Sequence, residues 1–233
     1  MRLIGDSFEP TDTIVQDAAT VFQTNWQETN QLELVYREIL LHSSHAFENT
    51  WNDKVKRPWE TFIAGMRAAD VDFSPTLPPH NDGVSFNRPG FMWGLVDPTG
   101  NRPFGWETPD GYPDEKAIWQ GSGPFVMAWR ALTWFLRYDP GSGPIVNLAQ
   151  QTNDQLSAGN RTPSQVADFW IDRVLARSLS TGRRQIVVDF LAQGGDQNAP
   201  MPGNDDISQW SGYQQRIRAA VGMLSSSPEA MQR

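Results

Sequence analysis

The 233-residue sequence contains no cysteine. Disulfide bonds, thiolate zinc sites, iron–sulfur clusters and cysteine nucleophiles are therefore excluded for this chain. Long hydrophobic runs are also lacking, because no window approaches the roughly 18 uninterrupted apolar residues of a membrane-spanning helix. The first residues show neither the basic start nor the apolar run of a secretory signal peptide. The sequence therefore predicts neither a membrane span nor a signal peptide within these residues.

Positive charge is scarce, with 19 Lys and Arg against 27 Asp and Glu and a net charge of −8. Binding to a nucleic-acid backbone depends on clustered Lys and Arg that release counterions, so a nucleic-acid partner is not expected. The chain is otherwise 39% hydrophobic and 20% charged, which is typical of folded globular proteins. From the length we expect residues 1–233 to form a single domain.

Apolar residues recur at spacings of three and four along several segments, as they do on one face of an α-helix. The first two such segments cover residues 11–24 and 30–43. In a segment over 124–137 the apolar face is wide enough to be nearly buried. Its members are Phe125, Trp129, Leu132, Phe135 and Leu136.

The clearest helix start is formed by Thr162, Pro163 and Gln165, which supply a cap, a first helical residue and a capping-box partner. No convincing run of alternating apolar and polar residues indicates a strand. The sequence therefore predicts an all-α fold, an irregular bundle of about seven helices.

Residues 71–114 interrupt this pattern with eight prolines and six glycines. Only a short helical turn near residues 91–95 is expected there. Irregular segments of this length are usually either functional or disordered. The abundance of aromatic residues favours an ordered loop packed on the helices; they are Phe73, Phe86, Phe91, Trp93, Phe104, Trp106 and Tyr112.

Four segments together resemble a known bacterial family. They are RLIGDSF at the start, VKRPWETFIAGMRA over 55–68, FGWETPDGYPDEKAIW over 104–119 and RIRAAVGMLSSSPE near the end. They resemble the C-terminal half of the family called domain of unknown function 1800, and the GW…PDGYP element is the most specific part. The resemblance implies a mostly helical protein whose N-terminal half is missing here. It also implies an extracytoplasmic location, periplasmic or secreted, and a sulfatase-like protein as partner.

The acidic and aromatic residues around the PDGYP element form the candidate site. Glu107, Asp110 and Asp114 are the candidate catalytic residues, because carboxylates serve as acid and base in glycoside hydrolysis. Flat aromatic rings can cover the apolar faces of a sugar, and the candidate ligand-binding residues are Trp93, Trp106, Tyr112 and Trp119. This arrangement predicts an exported protein that binds or hydrolyses polysaccharide.

An alternative interpretation of the same residues is structural. Residues 109–112 would form a turn, Asp114 would cap the next helix, and the tryptophans would attach the loop to the helices. The protein would then be a non-catalytic structural or assembly module that partners the sulfatase-like protein.

The histidines offer a weaker pattern. His42 and His45 are three residues apart, with Glu38 and Glu48 one turn away on either side, so a shared metal ion is sterically permitted. Two histidines without a third ligand in the sequence more often pack or lie at the surface. We therefore predict no metal site and no cofactor.

Overall fold

The computed structural model describes residues 9–42, 54–71, 94–109, 111–113, 116–137 and 146–232. These ranges are helical and contain no strand, only an isolated bridge between Val55 and Gln232. The predicted all-α fold is therefore confirmed. Within the same ranges, no helix combines the length and the apolar character that crossing a membrane requires.

In chain order, the described α-helices are α1 (Thr13–Thr24), α2 (Gln31–Leu41), α3 (Pro58–Ala68), α4 (Lys116–Trp119), α5 (Ser122–Arg137), α6 (Leu148–Gln155), α7 (Pro163–Leu175), α8 (Thr181–Ala192), α9 (Gly212–Ser225) and α10 (Pro228–Met231). Two short 3₁₀ helices cover Asp97–Thr99 and Ala158–Asn160. Eight of the described α-helices have eight or more residues, one more than the sequence predicted.

The chain divides into two compact units. The first comprises Met1–Lys56, Thr108–Gly121 and Gln232–Arg233, and the second comprises Arg57–Glu107 and Ser122–Met231. Helices α1, α2 and α4 belong to the first unit, and the remaining helices belong to the second. The single-domain organisation expected from the length stays a prediction.

In the first unit, α1 and α2 pack against each other but bury little apolar surface. Ile14 is the one buried residue of α1, and α2 has none. Both helices occur where the apolar spacing predicts them. The apolar residues Leu32 and Tyr36 of α2 are nevertheless exposed, so the spacing identifies the helix without identifying a buried face.

In the second unit, α3 begins at Pro58 as predicted, and the Glu60 carboxylate accepts a hydrogen bond from the backbone N–H of Arg57 at 2.8 Å. Phe62 is fully buried and meets Phe135 of α5 edge to face, with ring centroids 5.5 Å apart. Gly65 allows the two helices to approach, because a Cβ atom there would lie 2.5 Å from a methyl carbon of Leu132.

The core of the second unit is a single cluster of buried side chains from α3 and α5 to α9. Trp170 of α7 is fully buried, and its indole N–H donates to the Thr152 hydroxyl at 3.0 Å. The Tyr213 hydroxyl donates to the side-chain oxygen of Asn153 at 3.0 Å, and burial raises the pKa of Tyr213 to about 12. These two hydrogen bonds link α6 to α7 and to α9.

The predicted start of α7 is confirmed. Thr162 precedes the helix and its hydroxyl accepts a hydrogen bond from the backbone N–H of Gln165 at 3.3 Å, while Pro163 is the first helical residue. This bond satisfies one of the backbone donors that a helix leaves free at its start.

Helix α5 differs from the prediction on one side. Leu132, Phe135 and Leu136 are buried as expected. Phe125 and Trp129 were expected on the same buried face, but their side chains are 37% and 47% exposed. The expectation is wrong for these two residues. Trp129 belongs to a second, aromatic stripe of α5 that points away from the core. Phe125 lies near the start of the helix, before its first buried residue, Ala128.

Candidate functional site

The structure describes four of the seven site residues predicted from the sequence. Trp93, Asp110 and Asp114 lie outside the described residues. Of the others, Trp106 and Glu107 belong to the second unit, whereas Tyr112 and Trp119 belong to the first.

Tyr112 and Trp119 contact each other, with ring centroids 5.9 Å apart in an edge-to-face arrangement. Trp119 is buried, and its indole N–H donates to the backbone carbonyl of Pro113 at 2.8 Å. The backbone N–H of Gly111 donates to the carbonyl of Thr108 at 3.3 Å, which closes a turn in which Gly111 adopts a φ of 73°. For this part of the element, the contacts favour the structural interpretation, because the buried Trp119 ring offers no open face to a sugar.

The described residues just before this turn lie at the surface. Phe104 is fully exposed, and Trp106 and Glu107 are exposed as well. The expectation that the loop aromatics pack on the helices is therefore wrong for Phe104. Its φ of 60° lies in the left-handed region, which a bulky side chain rarely adopts.

A groove on the second unit gathers exposed aromatic residues at one place. It has a volume of about 590 Å³ and lies along α5 and the residues before α9. We call it the tryptophan groove; it is lined by Val126, Trp129, Arg130, Thr133, Trp134, Arg137, Gln209 and Trp210.

The position of the groove follows from the helical period of α5. Its lining residues on this helix, from Val126 to Arg137, recur at spacings of three and one and therefore share one face. The opposite face carries Leu132, Phe135 and Leu136, which are buried in the core. The core thus holds α5 rigidly while the other face presents its indoles to solvent.

The groove combines apolar rings with positive charge. Trp129, Trp134 and Trp210 are 47%, 41% and 64% exposed. Arg130 and Arg137 are exposed too, and no carboxylate in the described part of the chain forms an ion pair with either of them. No Asp or Glu belongs to the described lining residues. The surface is therefore suited to a ligand that has apolar faces and negative charge.

A second hollow of about 350 Å³ adjoins the groove and shares Arg130 and Trp134 with it. Its other lining residues are Gly94, Leu95, Pro98, Met127 and Ala131. The two hollows therefore provide an extended surface around Trp134, longer than a single small pocket.

This groove was not predicted from the sequence. The apolar spacing assigns Trp129 to the core and gives no role to Trp134, Trp210 or the two arginines. The spacing of residues 126, 129, 130, 133, 134 and 137 contains the signal, since it describes a second stripe on the same helix. Trp210 could not be found in this way, because only the tertiary fold brings it beside α5.

Comparison with known proteins gives one result. Residues 1–232 match the model of a family described as "Protein of unknown function (DUF1800)". The chain belongs to this family. The resemblance found in the four sequence segments is thus confirmed over essentially the whole chain. No curated protein and no solved structure matches the chain.

Proposed function

We propose that this member of the DUF1800 family binds polysaccharide through the tryptophan groove. The observation that carries the proposal is the presence of three partly exposed indoles and two arginines in one groove. Large aromatic residues left exposed together commonly mark a binding surface. Indole rings combine a flat apolar face with a polar N–H, and this combination suits the C–H faces and hydroxyl groups of sugars.

The arginines specify the class of polysaccharide. Guanidinium groups bind carboxylates in a two-pronged geometry, so Arg130 and Arg137 favour a polymer that contains uronic acids. The net charge of −8 would repel such a polymer at long range. At physiological ionic strength, however, charges more than about 8 Å away are largely screened, and the arginines of the groove act at contact distance.

The proposed activity is binding without hydrolysis at this groove. Glycoside hydrolysis uses two carboxyl groups on opposite sides of the scissile bond. The described lining residues of the groove provide neither. Hydrolysis through Glu107, Asp110 and Asp114 stays a separate prediction. The proposal includes an extracytoplasmic location, periplasmic or secreted, because the protein would encounter a polysaccharide of this kind there.

The experiment measures the affinity of the purified chain for a soluble polyuronate and for a neutral glucan by isothermal titration calorimetry. We expect the polyuronate to bind more tightly, and Trp129→Ala and Trp210→Ala to weaken its binding about fivefold each. That factor corresponds to about 1 kcal/mol for the loss of one stacked ring.

The matched control is Trp26→Ala, because Trp26 is 69% exposed and belongs to the first unit. We expect this variant to bind like the wild type. Equal weakening by Trp26→Ala would show that the tryptophan groove is not the binding site. If the wild type binds neither polymer, the proposal is wrong.

A further inference from the structure

Three potential metal ligands meet at the α1–α2 helix pair, far from the tryptophan groove in the sequence. They are Asp17 of α1, Glu38 of α2 and His42, which directly follows α2. One ligand atom of each residue lies within 4.8 Å of the corresponding atoms of the other two. The His42 side chain is 6% exposed, and its Nε2 atom lies 2.8 Å from a carboxylate oxygen of Asp17.

The spacing of these atoms, at most 4.8 Å between any two, is close to that around a single small cation. Zinc binds imidazole nitrogen and carboxylate oxygen at about 2.0–2.2 Å, so ligand atoms around a tetrahedral zinc ion lie about 3.4 Å apart. The nitrogen of His42 and the oxygen of Asp17 would need to separate by roughly half an ångström to admit the ion. The half-exposed side chain of Asp17 has room to do so.

The chemistry of the cluster indicates which cation it would take. Two carboxylates close together repel each other, and a divalent cation between them removes this repulsion. Imidazole favours zinc and neighbouring transition metals over magnesium and calcium, which prefer all-oxygen sites. Glu38 and His42 are four residues apart, the spacing at which side chains share a helix face.

Among the described residues, the helix pair buries little apolar surface. Ile14 is the single buried residue within α1 and α2. Small elements with little core are commonly stabilised by a disulfide or a metal ion, and this chain has no cysteine. We infer that Asp17, Glu38 and His42 bind one divalent zinc ion, which cross-links α1 to α2.

This inference is independent of the proposed polysaccharide binding, and it revises the prediction of no metal site. The ligands that sequence spacing offers to His42 are His45, Glu38 and Glu48, of which His45 and Glu48 lie outside the described residues. The partner that the structure provides, Asp17, is 25 residues away from His42 and on another helix. Sequence spacing alone therefore could not identify it.

The test uses the full chain, stripped of metal with a chelator and dialysed to equilibrium against Zn²⁺. We expect one zinc ion per chain, and an increase in the melting temperature on loading. His42→Ala, Asp17→Asn and Glu38→Gln should each weaken zinc binding at least tenfold. The two amide variants preserve side-chain size, so circular dichroism should show that their helical content is unchanged.

Glu33→Gln and Glu28→Gln are the matched controls, because Glu33 of α2 and Glu28 between α1 and α2 are described carboxylates that do not belong to the cluster. We expect both to retain wild-type affinity. The inference is overturned if the wild type binds less than half an equivalent of zinc, or if the three cluster variants bind it as tightly as the controls do. Equal affinity for Mg²⁺ and Zn²⁺ would also overturn it, because the imidazole would then not be a ligand.

Discussion

The core of the second unit and the α1–α2 helix pair show two different uses of the same sequence pattern. In the second unit, apolar residues at helical spacing converge on one cluster that includes the fully buried Trp170. In α1 and α2 the same spacing produces helices, but Ile14 alone is buried. Helical periodicity therefore predicts which residues share a face. What covers that face depends on elements distant in the sequence.

The core of the second unit should be more sensitive to substitution than any exposed position. Trp170→Ala removes a fully buried indole and leaves the Thr152 hydroxyl without its donor. We expect a loss of about 3–5 kcal/mol in the free energy of unfolding, the usual range for a large aromatic residue in a core. Urea unfolding followed by circular dichroism at 222 nm measures this loss.

Trp26→Ala is the corresponding tryptophan substitution in the first unit. Because Trp26 is largely exposed, we expect its removal to change the free energy of unfolding by less than about 0.5 kcal/mol. Similar losses in the two variants would abolish the distinction between the two regions.

An intermediate effect is expected at a helix start of the second unit. Thr162→Ala removes the hydroxyl that accepts the Gln165 N–H, and this should lower the free energy of unfolding by about 1 kcal/mol. Ser180 is the matched control, because it occupies the same position before α8 but its side chain makes no capping hydrogen bond. Ser180→Ala should therefore have a smaller effect in the same urea titration, and an equal loss would contradict the role assigned to the Thr162 bond.

Much of the fold could be predicted from local signals. The cap and proline before α7, the proline that begins α3 and the apolar spacing of α1 and α5 each act within a few residues of the element they define. Such signals can be identified from the sequence alone, because they involve only neighbouring residues. The structure confirms the helices that they predict. They do not determine which apolar side chains become buried, as Phe125 and Leu32 show.

The functional surfaces were less predictable for the same reason. The high local density of aromatic residues near the PDGYP element predicted a ligand-binding site there. Trp119, however, is buried, and its indole N–H donates to the carbonyl of Pro113. The tryptophan groove and the cluster around His42 each combine residues from separate segments. Their members meet only after the helices pack, and no single segment identifies them.

Leu32→Ser tests the exposed face of α2 directly. Leu32 is 61% exposed, so Leu32→Ser removes little apolar surface that is buried in the folded chain. We expect the free energy of unfolding to change by less than about 0.5 kcal/mol, with unchanged helical content in circular dichroism. A loss above about 1 kcal/mol would mean that Leu32 is buried in solution. The α1–α2 pair would then be held together by apolar contacts, as the second unit is, and a cross-linking zinc ion would not be needed to explain its cohesion.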